Sequence, residues 1–158
     1  MNSRVLAIVA AIGLFGCSTP AQLFEVNNTR SFAAPKEVVW DRLIRYFATN
    51  NIQIKTLEKA SGVIYAEREM SGAATSWWER GKVGDMADCG KDFGSIPESQ
   101  TIQLNVYVRE LGPAQSQATV TVTFKELYNQ RVGFGGAPKA CNSTGVLETK
   151  VLDTLAVP

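Results

Sequence analysis

The sequence has no histidine anywhere in its 158 residues. That removes the imidazole on which Ser-His-Asp and Cys-His devices depend, and with it the commonest zinc ligand. No Gly-x-Ser-x-Gly elbow is present either. Cysteine is scarce, three residues in all, and none stands in a Cys-x-x-Cys pair, so a metal site has little to build on and no metal or cofactor is expected. Charge is also lacking in either direction, with Lys+Arg 16 against Asp+Glu 15. Without a basic excess there is nothing to hold nucleic acid or anionic head groups electrostatically. Carboxylates alone can catalyse, but with every motif above absent the chain is expected not to be an enzyme.

What is present begins at the amino terminus. Met1-Asn2-Ser3-Arg4 is followed by eleven uncharged, mostly apolar residues, Val5 to Phe15. A short basic start and an apolar core of this length make a secretory signal. As a helix the run covers about 16 Å, against a hydrocarbon core of about 30 Å, and is too short to span a bilayer. No later segment reaches the ~18 apolar residues of a membrane span.

The run ends in Leu14-Phe15-Gly16-Cys17. This tetrapeptide resembles the lipobox of bacterial lipoproteins, with Leu first, a small residue third and Cys fourth; Phe15 departs from the small or β-branched residue that class prefers. The resemblance covers the first seventeen residues. It implies that residues 1–16 are a signal peptide, that Cys17 receives a diacylglyceryl group and often a third acyl chain, and that the chain is cut before it. One acyl chain holds a protein only reversibly, at about 0.8 kcal/mol per buried methylene, whereas two or three are effectively permanent. Ser18, where an Asp would favour retention in the inner membrane, points by the same resemblance to the outer membrane. The partner so implied is a membrane, held through acyl chains on Cys17.

With Cys17 acylated, Cys89 and Cys141 remain. An even residual count in an exported protein points to a disulfide between them, closing a loop of about fifty residues and restricting the unfolded chain by about 4 kcal/mol in the entropy model.

The remainder reads as a tether followed by one domain large enough for a real core, over 29–158. Residues 17–28 form the lipidated tether, which reaches at most about 35 Å when extended. A short strand is expected at 29–33. Ala34-Pro35 opens a helix that runs to about Asn50, with Pro at its first position. Val39, Leu43 and Phe47 recur every four residues with Trp40 and Ile44 beside them, an amphipathic face laid on a core. The aromatics Trp40, Tyr46 and Phe47 read as core rather than as a ligand box. Strands follow at 52–55 and 63–70. The second places Ile64, Ala66 and Met70 on one side and Glu67 and Glu69 on a solvated side.

Residues 71–100 read as a thirty-residue irregular stretch, rich in Gly and Ser. It carries Trp77-Trp78 and, around Cys89, Asp85, Asp88 and Asp92. The acidic spacing does not fit a calcium loop. A loop of this length is often functional, which makes Trp77 and Trp78 candidate partner-binding residues; the competing reading is that they cover the core.

The clearest strand signal is 101–111, where Ile102, Leu104, Val106 and Val108 alternate with polar residues. Ala118, Val120, Val122 and Phe124 repeat the pattern after a Gly112-Pro113 turn, which predicts a hairpin with one dry and one wet face. Residues 129–139 read as a glycine-containing loop with no phosphate-cradle context. Ser143 or Thr144 then caps a final helix bearing Leu147, Val151 and Leu155.

The expected class is therefore α+β, a two-layer sandwich in which helices cover one face of an antiparallel sheet, in the order β-α-β-β-loop-β-β-α. Over roughly Thr29 to Leu155 this order resembles the helix-grip, or TATA-box-binding-like, domains of the C subunit of the bacterial barrel-assembly machinery, also a lipoprotein. The function expected is a non-catalytic, lipid-anchored module at the outer membrane, facing the periplasm, that binds another envelope protein or serves the envelope structurally. The alternative is a carrier holding an apolar or amphiphilic small molecule between helix and sheet. A cavity behind Trp40, Phe47, Val106 and Val122 would favour the carrier, and a filled core the module.

Overall fold

A computed structural model describes residues 19–71, 85–90, 95–130 and 135–156. Its elements are β1 (Thr29–Phe32), α1 (Lys36–Thr49), β2 (Gln53–Glu58), β3 (Val63–Ser71), β4 (Ala87–Asp88), β5 (Ser95–Gly112), β6 (Gln115–Gln130), β7 (Gly135–Ser143) and a last helix, α2 (Val146–Ala156). The protein is thus a mixed α+β chain in which the described residues make a seven-stranded sheet and two helices. Every strand pair is antiparallel, in the order β2-β3-β5-β6-β7-β4.

The hairpin β5–β6 is the spine of the sheet. Its register runs from Gly112 opposite Gln115 down to Ser95 opposite Gln130. The far side of β6 is shared: β1 pairs with its first part, Thr29 opposite Thr119, and β7 with its second, Phe124 opposite Cys141. Period-2 alternation puts Val108, Val106, Leu104 and Ile102 on one face of β5, and Ala118, Val120, Val122 and Phe124 on the same face of β6. All eight are buried. Val39, Trp40, Leu43, Tyr46 and Phe47 of α1 and Leu147, Val151, Leu152 and Leu155 of α2 complete this core. At about 25 cal/mol per Å² of apolar surface removed from water, this cluster is the main source of the fold's stability.

Several local expectations are corrected. Pro35 stands one residue before the helix, as its N-cap, and its carbonyl accepts from Val38 and Val39 N–H. Asn50 closes α1 by donating from both its backbone N–H and its side-chain amide to the Tyr46 carbonyl. Neither Ser143 nor Thr144 caps α2 in the expected way. Gly145 does: its carbonyl accepts from Thr149 N–H, and its φ of +85° is a conformation glycine adopts without strain.

The expected order also lacked two strands. Ala87–Asp88 lies inside the stretch 71–100, and β7 begins at Gly135 inside the stretch 129–139 and continues past Cys141. β5 begins at Ser95 rather than at Thr101. The physical reason is the same in each case. These segments are short or interrupted by Gly, Pro and polar residues, so their sequence shows no apolar alternation. Their ladder is imposed by the long partner β6 and, for β4, by β7.

Residues 19–28, read as a tether, lie along the domain. The Gln22 N–H donates to Asp88 Oδ2 (2.8 Å), and Asn142 Nδ2 donates to the carbonyls of Ala21 (3.3 Å) and Gln22 (3.0 Å). Val120 N–H donates to the Asn28 carbonyl (2.8 Å).

Candidate functional site

The dry face of the sheet does not stay dry to its end. Following the inward row of β5 past Ile102 leads to Gln100, and that of β6 past Phe124 leads to Glu126. The two stand opposite each other in the register. Met70 of β3 is the next neighbour across, opposite Gln100. Cys141 of β7 faces Phe124, one step back, and Cys89, just beyond β4, is disulfide-bonded to it. The pairing expected from cysteine count is therefore present, and it ties the end of β4 to β7.

Glu126 is the unusual member. Only 5% of it is exposed, although burying a carboxylate costs several kcal/mol unless it is compensated. Gln100 Nε2 donates to its Oε1 (2.9 Å), and the register sets Lys139 across from it. A carboxylate oxygen of Glu126 and the sulfurs of Cys89 and Cys141 all lie within 4.8 Å of one another. Among the described residues these three are the group whose donor atoms converge closely enough to hold a metal ion. With the disulfide closed, neither sulfur is a thiolate ligand or a nucleophile. Sequence spacing carries no sign of this trio, because it comes from three separate segments. The one available hint was a charged residue at an inward position of an otherwise apolar alternation.

Asp88 sits beside the trio and organises the loop. Its Oδ1 accepts from Gly90 N–H (2.8 Å), and its Oδ2 holds Gln22. Gly90 has φ +67°, and a β-carbon there would run into the Thr19 carbonyl oxygen. A side chain at this position would therefore push the amino-terminal strap off the domain. Asp85, expected in the same acidic group, accepts through its backbone carbonyl from Thr144 Oγ1. Asp92 lies outside the described residues.

The opposite, wet face carries a second polar group. Tyr65 Oη donates to Glu67 Oε1, while Gln103 Nε2 donates to both Tyr65 Oη and Glu67 Oε1 (2.9 Å each). Lys55 Nζ is 4.0 Å from Glu67 Oε2. The hydrogen bond to Glu67 raises the Tyr65 hydroxyl above the usual phenol range. Hydrogen bonds from Tyr65 and then Gln103 hold the Glu67 carboxyl below the usual carboxylate range. Glu69 is exposed. These groups satisfy one another on a solvated sheet face and present no nucleophile.

Two grooves indent the surface near the helices. One, of about 490 Å³, is bordered by Glu25, Val26, Gly145, Thr149 and Asp153, where the strap meets the start of α2. The other, of about 480 Å³, lies along α1 beside Asp41, Arg42, Arg45 and Tyr46. Neither is lined by residues of the sheet. Cys17, Trp77 and Trp78 lie outside the described residues. No family model matches this chain, and no curated protein matches it.

Proposed function

We propose that the protein is a lipid-anchored, non-catalytic module of the bacterial outer membrane, held flat against the bilayer on its periplasmic side, where it binds another envelope protein. The observation that carries this reading is the docked strap. Acyl chains on Cys17 would enter the membrane two residues before Thr19, where the chain is already fastened to the domain. On the same strap Leu23 is 83% exposed and Phe24 39%. Apolar side chains left in water next to an acyl anchor suit a lipid surface better than bulk solvent.

The helices α1 and α2 cover one face of the sheet as a two-layer sandwich, in the manner of the helix-grip domains that the element order resembles. The wet face and the stretch carrying Trp77 and Trp78 are left for a partner, with the two indoles as anchors. The core speaks against the carrier alternative: Trp40, Phe47, Val106 and Val122 are each 7% exposed or less and belong to one packed cluster.

The test uses the full chain in its native host. Cys17→Ala is expected to abolish labelling by radioactive palmitate and to move the protein from the membrane to the soluble fraction. Labelling of that variant at the wild-type level would end the anchor assignment. In the anchored protein, Trp77→Ala and Trp78→Ala are expected to leave melting nearly unchanged and to weaken crosslinking to neighbouring envelope proteins. A large fall in melting temperature would instead make them core cover.

A further inference from the structure

The trio Cys89, Glu126 and Cys141 has a chemistry that the closed disulfide conceals. We propose that the reduced protein holds one divalent, thiophilic cation of the zinc type, bound by the thiolates of Cys89 and Cys141 and by the carboxylate of Glu126. This goes beyond the anchored-module reading and does not depend on it.

A tetrahedral zinc ion takes sulfur at about 2.3 Å and carboxylate oxygen at about 2.0–2.2 Å, which places the donor atoms about 3.6–3.8 Å from one another. The carboxylate oxygen already lies within 4.8 Å of both sulfurs. Side-chain rotation at the two cysteines, once they are no longer bonded, covers what remains. The backbone around them is held independently of the disulfide. Ala87 and Asp88 pair with Ser143 and Asn142, and Cys141 is in register with Phe124.

Electrostatics supplies the second argument. Two electrons from a dithiol reductant, with two protons, convert the disulfide to two thiols and leave the reductant as its own disulfide. The product is a pair of thiols beside a carboxylate in a site where Cys141 is 7% and Glu126 5% exposed. A divalent cation takes the two sulfurs as thiolates beside the carboxylate, its charge offsetting theirs, and binding releases the two thiol protons. The third argument is the environment of the carboxylate. Gln100 Nε2 fixes Glu126 Oε1, the kind of outer contact that orients a ligating carboxylate. The competing account is that Glu126 serves only as the counter-charge of Lys139, which faces it in the register.

The experiment uses the full chain carrying Cys17→Ser, so that no third thiol contributes. The protein is reduced with a dithiol, freed of it without oxygen, and titrated with Co²⁺. The expected result is one Co²⁺ per reduced chain, with intense tetrahedral d–d bands and a thiolate charge-transfer band. Zn²⁺ should displace the Co²⁺, and the oxidised chain should develop no such bands. Glu126→Gln should weaken Co²⁺ binding at least tenfold, while Lys139→Gln should not. Circular dichroism checks that each reduced variant keeps its strand signal. Should Glu126→Gln fail to fold, Glu126→Asp takes its place and should shift the d–d band positions while the charge-transfer band persists. The proposal is overturned if the reduced chain shows no stoichiometric binding, if the oxidised chain binds equally, or if the Glu126 variants bind as tightly and with the same spectrum. Unchanged binding by an opened, reduced chain falls under the last outcome, because unfolded cysteines bind metal without needing Glu126.

Discussion

The two ends of the apolar face of the β5–β6 hairpin are built on different principles. Under α1 the face is Leu104, Val106, Val108 and Val120, all at most 1% exposed, and they meet Val39, Leu43 and Phe47 in one apolar cluster. At the other end the same two strands offer Gln100 and Glu126, and the neighbouring strand is tied down by a disulfide. The first end coheres through burial, which is non-directional and tolerant of small shifts. The second coheres through specific bonds: a disulfide, the Gln100–Glu126 hydrogen bond, and the Asp88 contacts to Gly90 and Gln22. The difference teaches where each end is vulnerable: the first to loss of buried volume, the second to loss of a single bond.

The sharpest way to break the comparison is at the apolar end. Phe47→Ala deletes a fully buried ring and should cost about 3–5 kcal/mol of folding stability. Denaturant melts of the variant should show this loss with or without reductant. A loss below about 1 kcal/mol would mean that the apolar end does not dominate stability.

A smaller effect is expected at the other end. Cys89→Ser combined with Cys141→Ser removes a bridge between residues 52 apart and should cost about 2–4 kcal/mol. Hydrogen exchange should locate the change. Amides of residues 87–90 and of the strap at 20–22 should exchange faster, while those of residues 104–108 hold their protection until global unfolding. Uniformly faster exchange would mean that the two ends are one cooperative unit.

The smallest effect concerns pH, at the border between the ends. Tyr46 is buried on α1, and its hydroxyl is raised above the usual phenol range, chiefly by desolvation, with Arg68 pulling the other way. For an acid whose value is raised on folding, the unfolded chain ionises first. Its contribution is therefore whole below the ordinary phenol value of about 10 and is lost as pH rises through the folded value. Glu67 has the opposite sign: its carboxyl is lowered, so its contribution is present above the unfolded value and fades as pH falls through the folded one. Tyr46→Phe should flatten the alkaline limb of a stability–pH curve and leave the acid limb alone, whereas Glu67→Gln should flatten the acid limb and, by removing the bond that raises Tyr65, change the alkaline limb as well. Identical limbs in all three proteins would remove both assignments.

How much of this was legible in advance differs between the two ends for a physical reason. Burial writes itself into sequence as period. Thus α1, β3, the β5–β6 hairpin from residue 101 onward and α2 could be read from the spacing of Val39, Leu43, Phe47, of Ile64 and Ala66, of Leu104, Val106, Val108, and of Leu147, Val151, Leu155. Specific bonds leave no period. β7, with Gly135, Gly136 and Pro138, looks like a loop until β6 supplies its hydrogen-bond partners, and the two-residue β4 exists only because β7 is there. The strap looks like a tether until Asp88 and Asn142 bind it.

What the sequence determined by itself was the α+β composition of the chain, the main apolar rows, and the pairing of its last two cysteines, since with Cys17 set aside by the lipobox reading two thiols leave a single choice. Tertiary structure alone decided that Glu126 lies within 4.8 Å of those sulfurs and that residues 19–28 lie along the domain. Both are contacts between segments far apart in the chain, brought together by the register of β6 with its neighbours. No local preference of Glu126 or of Gln22 encodes that register; it follows from packing the whole apolar face at once.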